Sequence, residues 1–286
     1  HFDKIALIGG AAGMSPNINP ETNFQASKKL AIESKCPNQL DSNPDNINSI
    51  IDCLRSIDAG KLLSLQRKLE DQNPQYSFKS PVLDGDEKSP VLPNSVTQLM
   101  ISRRGTKMMI GSLPNCPTLK QMAKKWSSTD SLDAWCRIAL KYRHLNNTEK
   151  LAEECVGEYS KGSRKHDLLD DLAVYLPTLE SAYTNTANKG TTYLFDYETN
   201  EQNEKLDIGE YLEQSIIQFI KEGNPTTEEM KWSEFDMKRM NYMTFSDKMP
   251  PRSSDGYHQE AVDFWDRKAL MWSQMNSEKV SNDTAD

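Results

Sequence analysis

Along residues 4–9 (KIALIG) an apolar run follows Lys4 and stops at Gly9-Gly10, the pattern of a short buried strand. Residues 25–35 (QASKKLAIESK) place Ala26, Leu30 and Ala31 at helical spacing and end near Pro37, which stops a helix. A second helix is predicted over 46–56, with Ile47, Ile50, Ile51 and Leu54 on one face. Asp58-Ala59-Gly60 reads as a short turn, after which Leu62, Leu63 and Leu65 lead into a polar loop. Residues 81–93 (PVLDGDEKSPVLP) are bounded by prolines and extended around a turn at Asp84-Gly85. The second strong strand is 107–111 (KMMIG).

From 118 to 185 the spacing is helical, with Leu132, Trp135, Ile138, Ala139 and Leu140 as an apolar stripe, and 144–166 is highly charged. Residues 191–197 (TTYLFDY) predict a third strand, and 207–221 an amphipathic helix closed by Gly223-Asn224-Pro225. Residues 241–246 (NYMTFS) predict a fourth strand, and 259–275 a last helix bearing Val262, Phe264, Trp265 and Leu270. Strands alternating with helices make this an α/β chain with a mostly parallel sheet.

Composition narrows the picture. Only 36% of the 286 residues are hydrophobic, and the mean hydropathy is −0.72, lean for a self-contained α/β domain. A net charge of −8 without a Lys/Arg-rich run argues against nucleic acid and anionic membrane as partners. No apolar run approaches the ~20 residues of a membrane span. The start at His1, without an initiator Met, reads as a processed or incomplete N-terminus.

The five cysteines are an odd number, so at least one is left over or pairs with another chain. None stands in C-x-x-C and no Cys/His spacing suits zinc, so neither a metal nor another cofactor is expected. Sequons occur at Asn146 and Asn282, meaningful only in a secretory compartment.

The order of the pieces is more informative than any one of them. FDKIALIGGAAGMSP (residues 2–16) resembles the segment just after the nucleophile in type-B carboxylesterases and cholinesterases. Lys35-Cys36-Pro37 with Cys53-Leu54-Arg55-Ser56 is similar to that family's paired-cysteine segment. Pro81-Val82-Leu83-Asp84-Gly85-Asp86 is similar to its P-V-x-D-G-D, and Met108-Met109-Ile110-Gly111 to the strand that follows. Further on, Asp167-Leu168-Leu169 to Leu176-Pro177-Thr178, Tyr193 to Tyr197, Phe219 to Gly223-Asn224-Pro225 and Trp232, and Phe264-Trp265 keep the family's order.

The resemblance implies an α/β-hydrolase fold: the later strands of a mostly parallel central sheet with helices on both faces, incomplete, over residues 1–275. Residues 276–286 read as a disordered tail. It also implies a disulfide between Cys36 and Cys53, which closes a loop and stabilises by about 3 kcal/mol. A disulfide points to the secretory pathway, which raises the value of Asn146 as a glycosylation site.

Ester hydrolysis on this fold needs Ser, then Asp or Glu, then His in chain order. The nearest string to G-x-S-x-G is Gly9-Gly10-Ala11-Ala12-Gly13, which puts Ala11 at the nucleophile's place, a dead elbow. Alternatively the string matches the family's later S-G-S-A motif, and the elbow belongs upstream of His1. Neither reading supplies a nucleophile.

The acid is expected five residues beyond Gly111, where Cys116 stands. A neutral thiol carries no charge to offset an imidazolium. Nor does SLPNCPTL offer a cation before Lys120 to make a thiolate, so Cys116 reads as structural.

The family's histidine follows the strand at Tyr193–Tyr197, where this chain has Glu198 to Glu204 and no histidine. His1, His144 and His166 are misplaced for the role. His258, in Gly256-Tyr257-His258-Gln259-Glu260, imitates the motif but lies beyond Gly223-Asn224-Pro225 and reads as a surface residue. Cys116, Cys136 and Cys155 are expected to form no second intrachain pair.

The expectation is a carboxylesterase-like protein without its own Ser-Glu-His triad, acting through binding or adhesion, with a protein partner or a missing N-terminal half covering the open sheet edge. The alternative is a truncated portion of a serine esterase whose nucleophile lies upstream.

Overall fold

The structure, a computed structural model, describes residues 2–11, 20–37, 44–73, 83–85, 88–113, 131–143, 145, 148–161, 167–198, 209–246 and 249–269. The chain forms two compact units, one of residues 1–14 with 95–286 and one of residues 15–94.

The first unit is built on a five-stranded sheet, ordered as in sequence. Strands β1 (Lys4–Ile8), β2 (Lys107–Ser112), β3 (Thr192–Glu198) and β4 (Tyr242–Ser246) are parallel, and β5 (Arg252–Ser254) runs antiparallel beside β4. All four strands expected from the sequence form. Strand β5 was not expected: at three residues it is too short to show a period.

Helices cover both faces, so the strands must be apolar on both sides. On one face Met108, Ile110 and Leu194 pack against buried residues of the covering helical segments, among them Leu140, Leu151, Leu172, Leu179 and Trp265. On the other, Met109, Tyr193, Phe195, Tyr197, Met243 and Phe245 meet Trp232 and the buried Leu212 and Phe219 of the helix Gly209–Glu222. Gly111 stands where Phe195 crosses β2; a Cβ there would fall 2.3 Å from the phenyl ring.

Three helices form the body of the second unit: α1 (Pro20–Glu33), α2 (Pro44–Arg55) and α3 (Ala59–Gln72). The turn and polar loop expected after Asp58 are instead α3. Asp58 caps it by accepting the Lys61 N–H at 3.0 Å, and Leu62 and Leu65 continue the helical spacing to Leu69, which is buried. The Cys36–Cys53 disulfide forms, with its Cα atoms 5.8 Å apart, beside Ala31 and Ile50.

Back in the first unit, α4 (Val96–Ser102) is followed by a hairpin of α5 (Leu132–Tyr142) and α6 (Thr148–Tyr159). This hairpin overturns the expectation of no second disulfide, because Cys136 and Cys155 are bonded and fully buried. Their 19-residue separation spans two helices, and only the packing of one helix against the other brings their Cα atoms to 5.8 Å.

Next come α7 (Asp167–Asp170), a π-helical turn (Asp171–Tyr175) and α8 (Leu176–Ala187), which run together as one segment. Helix α9 (Gly209–Glu222) follows β3, and after β5 come α10 (Gln259–Val262) and a second π-helical turn (Asp263–Ala269). The expected tail, 276–286, lies outside the described residues. No described helix is long and apolar enough to cross a membrane.

Candidate functional site

Parallel strands place their chemistry at their carboxyl ends. There, Ser112 of β2 stands opposite Asp196 of β3. Strand alternation sends Tyr193, Phe195 and Tyr197 to one face, so Leu194 and Asp196 point to the other, the face that also carries Ile110 and Ser112.

A tight turn reaches the same place from the far end of the chain. The Gly256 N–H donates to the Arg239 carbonyl at 2.8 Å and the Tyr257 N–H to the Met240 carbonyl at 3.0 Å. Gly256 has φ +77°, and His258 is itself left-handed at φ +41°, a conformation that costs a non-glycine residue energy unless its surroundings hold it.

The surroundings do hold it. His258 Nε2 lies 3.1 Å from Asp196 Oδ2. Ser112 Oγ donates to Asp196 Oδ1 at 2.6 Å, and the Tyr257 hydroxyl donates to Ser112 Oγ at 2.6 Å. The imidazole stacks on Tyr175, with centroids 3.4 Å apart and planes 14° from parallel, while Tyr257 meets it edge-on at 4.5 Å. In the neutral imidazole, a carboxylate acceptor at Oδ2 puts the proton on Nε2 and leaves the lone pair on Nδ1.

The π-helical turn presents Tyr175 to the ring and Asp171 beside it. Asp171 Oδ2 accepts from the Tyr159 hydroxyl at 2.7 Å, and that hydroxyl accepts from Trp265 Nε1 at 2.7 Å, all buried. Together these elements wall an open cleft of about 480 Å³, lined among others by Asp167, Asp171, Tyr175, Tyr242, His258 and Glu260.

The tyrosines report the local field. Burial, then Asp196, Asp170, Asp171 and Asp167, push the Tyr175 hydroxyl far above its ordinary range. Burial first and Asp196 second push Tyr257 well above its ordinary value and raise Tyr242. All three stay neutral hydrogen-bond donors at physiological pH. Among the described residues, no group of three or more His, Cys, Asp or Glu could hold a metal ion.

Of the residues singled out in the sequence, Ala11, three residues beyond β1, is partly buried against the core on the Met108–Ile110 face. Cys116, at the expected acid position, lies outside the described residues, as do Asn146, His1, His144 and His166. Cys36 and Cys53 belong to the second unit and take no part in the cleft. His258 is not the surface residue expected: its side chain is 23% exposed and locked to Asp196.

Sequence reasoning missed the His258–Asp196 pair because it looked for histidine just after β3. The available signal was the Gly256-Tyr257-His258 turn, later in the chain than an acid on β3.

The sequence profile of the carboxylesterase family matches residues 1–213. The chain belongs to the carboxylesterase family. Two solved structures of PNB esterase share its fold, with TM-scores of 0.69 and 0.65 at 16% identity. Each match covers 92% of this chain and 57% of the esterase, so this carboxylesterase-family protein spans a little over half their length. Direct sequence comparison with curated proteins gives no match.

Proposed function

We propose that this carboxylesterase-family protein carries no Ser-Glu-His triad of its own and acts by binding, in the manner of an adhesion protein on the secretory route. One observation carries the reading. The hydroxyl tied to the His258–Asp196 pair, Ser112, is fully buried and donates to the carboxylate rather than to the imidazole. A nucleophile must instead be exposed to substrate and bonded to the base. Ala11 at the nucleophile's place and Cys116 at the acid position of the sequence agree with it. Two disulfides fit an oxidising compartment, and β1, which pairs with β2 alone among the described residues, offers an edge for a partner.

The test is turnover of a short-chain acyl ester by the expressed chain. Organophosphate-insensitive background is expected; turnover abolished by an organophosphate refutes the reading.

A second reading is favoured by the 57% span of the PNB esterases: this chain is the later portion of a serine esterase whose nucleophile lies upstream. An in-frame G-x-S-x-G before His1 in the gene would select it.

A further inference from the structure

The imidazole of His258 is fixed far more firmly than a bystander requires. Asp196 holds Nε2, Tyr175 covers one ring face, Tyr257 meets the ring edge-on, and the backbone is held in a left-handed conformation. Behind it, Tyr257 and Ser112 fix the carboxylate in turn. Nδ1 makes no hydrogen bond to any described residue, and the side chain lines the cleft. An orienting carboxylate, a preset tautomer and one available ring nitrogen in a cavity are what a nucleophilic base needs.

We propose that His258 is the acyl-accepting nucleophile of a serine-independent site for small, uncharged, activated acyl donors such as aryl esters. The Nδ1 lone pair attacks the acyl carbon, a bond forms between them, and the bond to the aryl oxide breaks. The resulting acylimidazolium keeps its Nε2 proton in the hydrogen bond to Asp196. Water then adds to the acyl carbon, the bond to Nδ1 breaks, and the carboxylic acid leaves while the aryl oxide takes up a proton. Overall, ester and water become acid and phenol, and the imidazole returns unchanged.

The cleft limits the substrate. At about 480 Å³, with Tyr175 and Tyr242 among its lining residues, it has room for a small ester. The backbone donors of the turn are already used: Gly256, Tyr257 and Gln259 N–H groups bond to the carbonyls of Arg239, Met240 and Gly256. Without those donors for the developing oxyanion, only a leaving group expelled more readily than imidazole can react. Esters of acidic phenols, such as nitrophenyl esters, meet that condition and alkyl esters do not. Asp196 touches only the imidazole's far nitrogen, so it is a positioning residue.

The experiment uses the full chain with p-nitrophenyl acetate, with ethyl acetate as control, after organophosphate treatment. Nitrophenolate release that persists, absence of ethyl acetate turnover, and a gain of about 42 Da on the His258 peptide, one acetyl group in place of a hydrogen, are expected. His258→Gln should lower the release rate about a hundredfold. Asp196→Asn should lower kcat while leaving KM unchanged. Far-UV and near-UV circular dichroism confirm that each variant is folded. Equal release by folded wild type and His258→Gln, or an acetyl group on another residue, overturns the proposal. Organophosphate-sensitive release would instead count against the absence of a serine triad, so the two readings fail separately.

Discussion

His258 and Asp196, 62 residues apart in sequence, meet through Nε2 and Oδ2 at 3.1 Å at the carboxyl end of the sheet. The pair keeps an acid-before-histidine order, yet neither residue sits at the position from which the family resemblance led us to expect it. Its support reaches across β2, β3, the π-helical turn and the turn before α10, so changes in any of these should register there.

Ser112 links Asp196 to Tyr257. Ser112→Ala removes both hydrogen bonds and leaves the buried Tyr257 hydroxyl without its acceptor. A loss of about 1–3 kcal/mol is expected in urea unfolding. A neutral result would mean the hydroxyl finds another acceptor.

The buried Tyr159 hydroxyl bridges Trp265 and Asp171. Tyr159→Phe takes away the acceptor of Trp265 Nε1 and one donor to Asp171. We expect about 2 kcal/mol of destabilisation and a shift in tryptophan emission, measured on the same denaturant series.

Cys136 and Cys155 close a 19-residue separation inside the helical hairpin. Replacing both by alanine should lower stability by about 3 kcal/mol. Peptide mapping without reductant checks the connectivity directly: a linked 136–155 peptide is expected, and Cys116 joined to either one would contradict it.

Gly111→Ala drives a methyl into the Phe195 ring, with 2.3 Å available. Strand β2 is flanked by β1 and β3 and cannot move aside, so a loss of about 1–3 kcal/mol is expected. Phe195→Leu in the same chain should recover part of it.

Tyr175 and Tyr257 are raised above the ordinary tyrosine value of 10.0 by burial and by Asp196, so they ionise more readily unfolded than folded. Their contribution is complete below the unfolded value of about 10 and is lost as pH rises from there toward the folded values. Urea midpoints should therefore be flat in this respect from pH 8 to about 9.5 and fall above about 10. Tyr175→Phe should flatten that alkaline limb, and the tyrosinate absorbance that this substitution removes should rise together with unfolding rather than before it.

Much was legible in the chain by itself. KIALIG, KMMIG, TTYLFDY and NYMTFS declared the four parallel strands as short apolar runs, although β1, expected to be buried, lies at the edge of the described sheet with none of its residues fully buried. The ordered motifs identified the family and the Cys36–Cys53 pair, since both rest on local strings. What the sequence could not declare depends on distance in space. Helix α3 hid its far turn behind a polar stretch, and the Cys136–Cys155 bond required two helices to pack against one another. The His258–Asp196 pair required a turn after β5 to return to the end of β3. Periodicity records which side of an element meets the core; it carries nothing about which distant element comes to rest beside it, and that was decided only when the sheet and its covering helices packed.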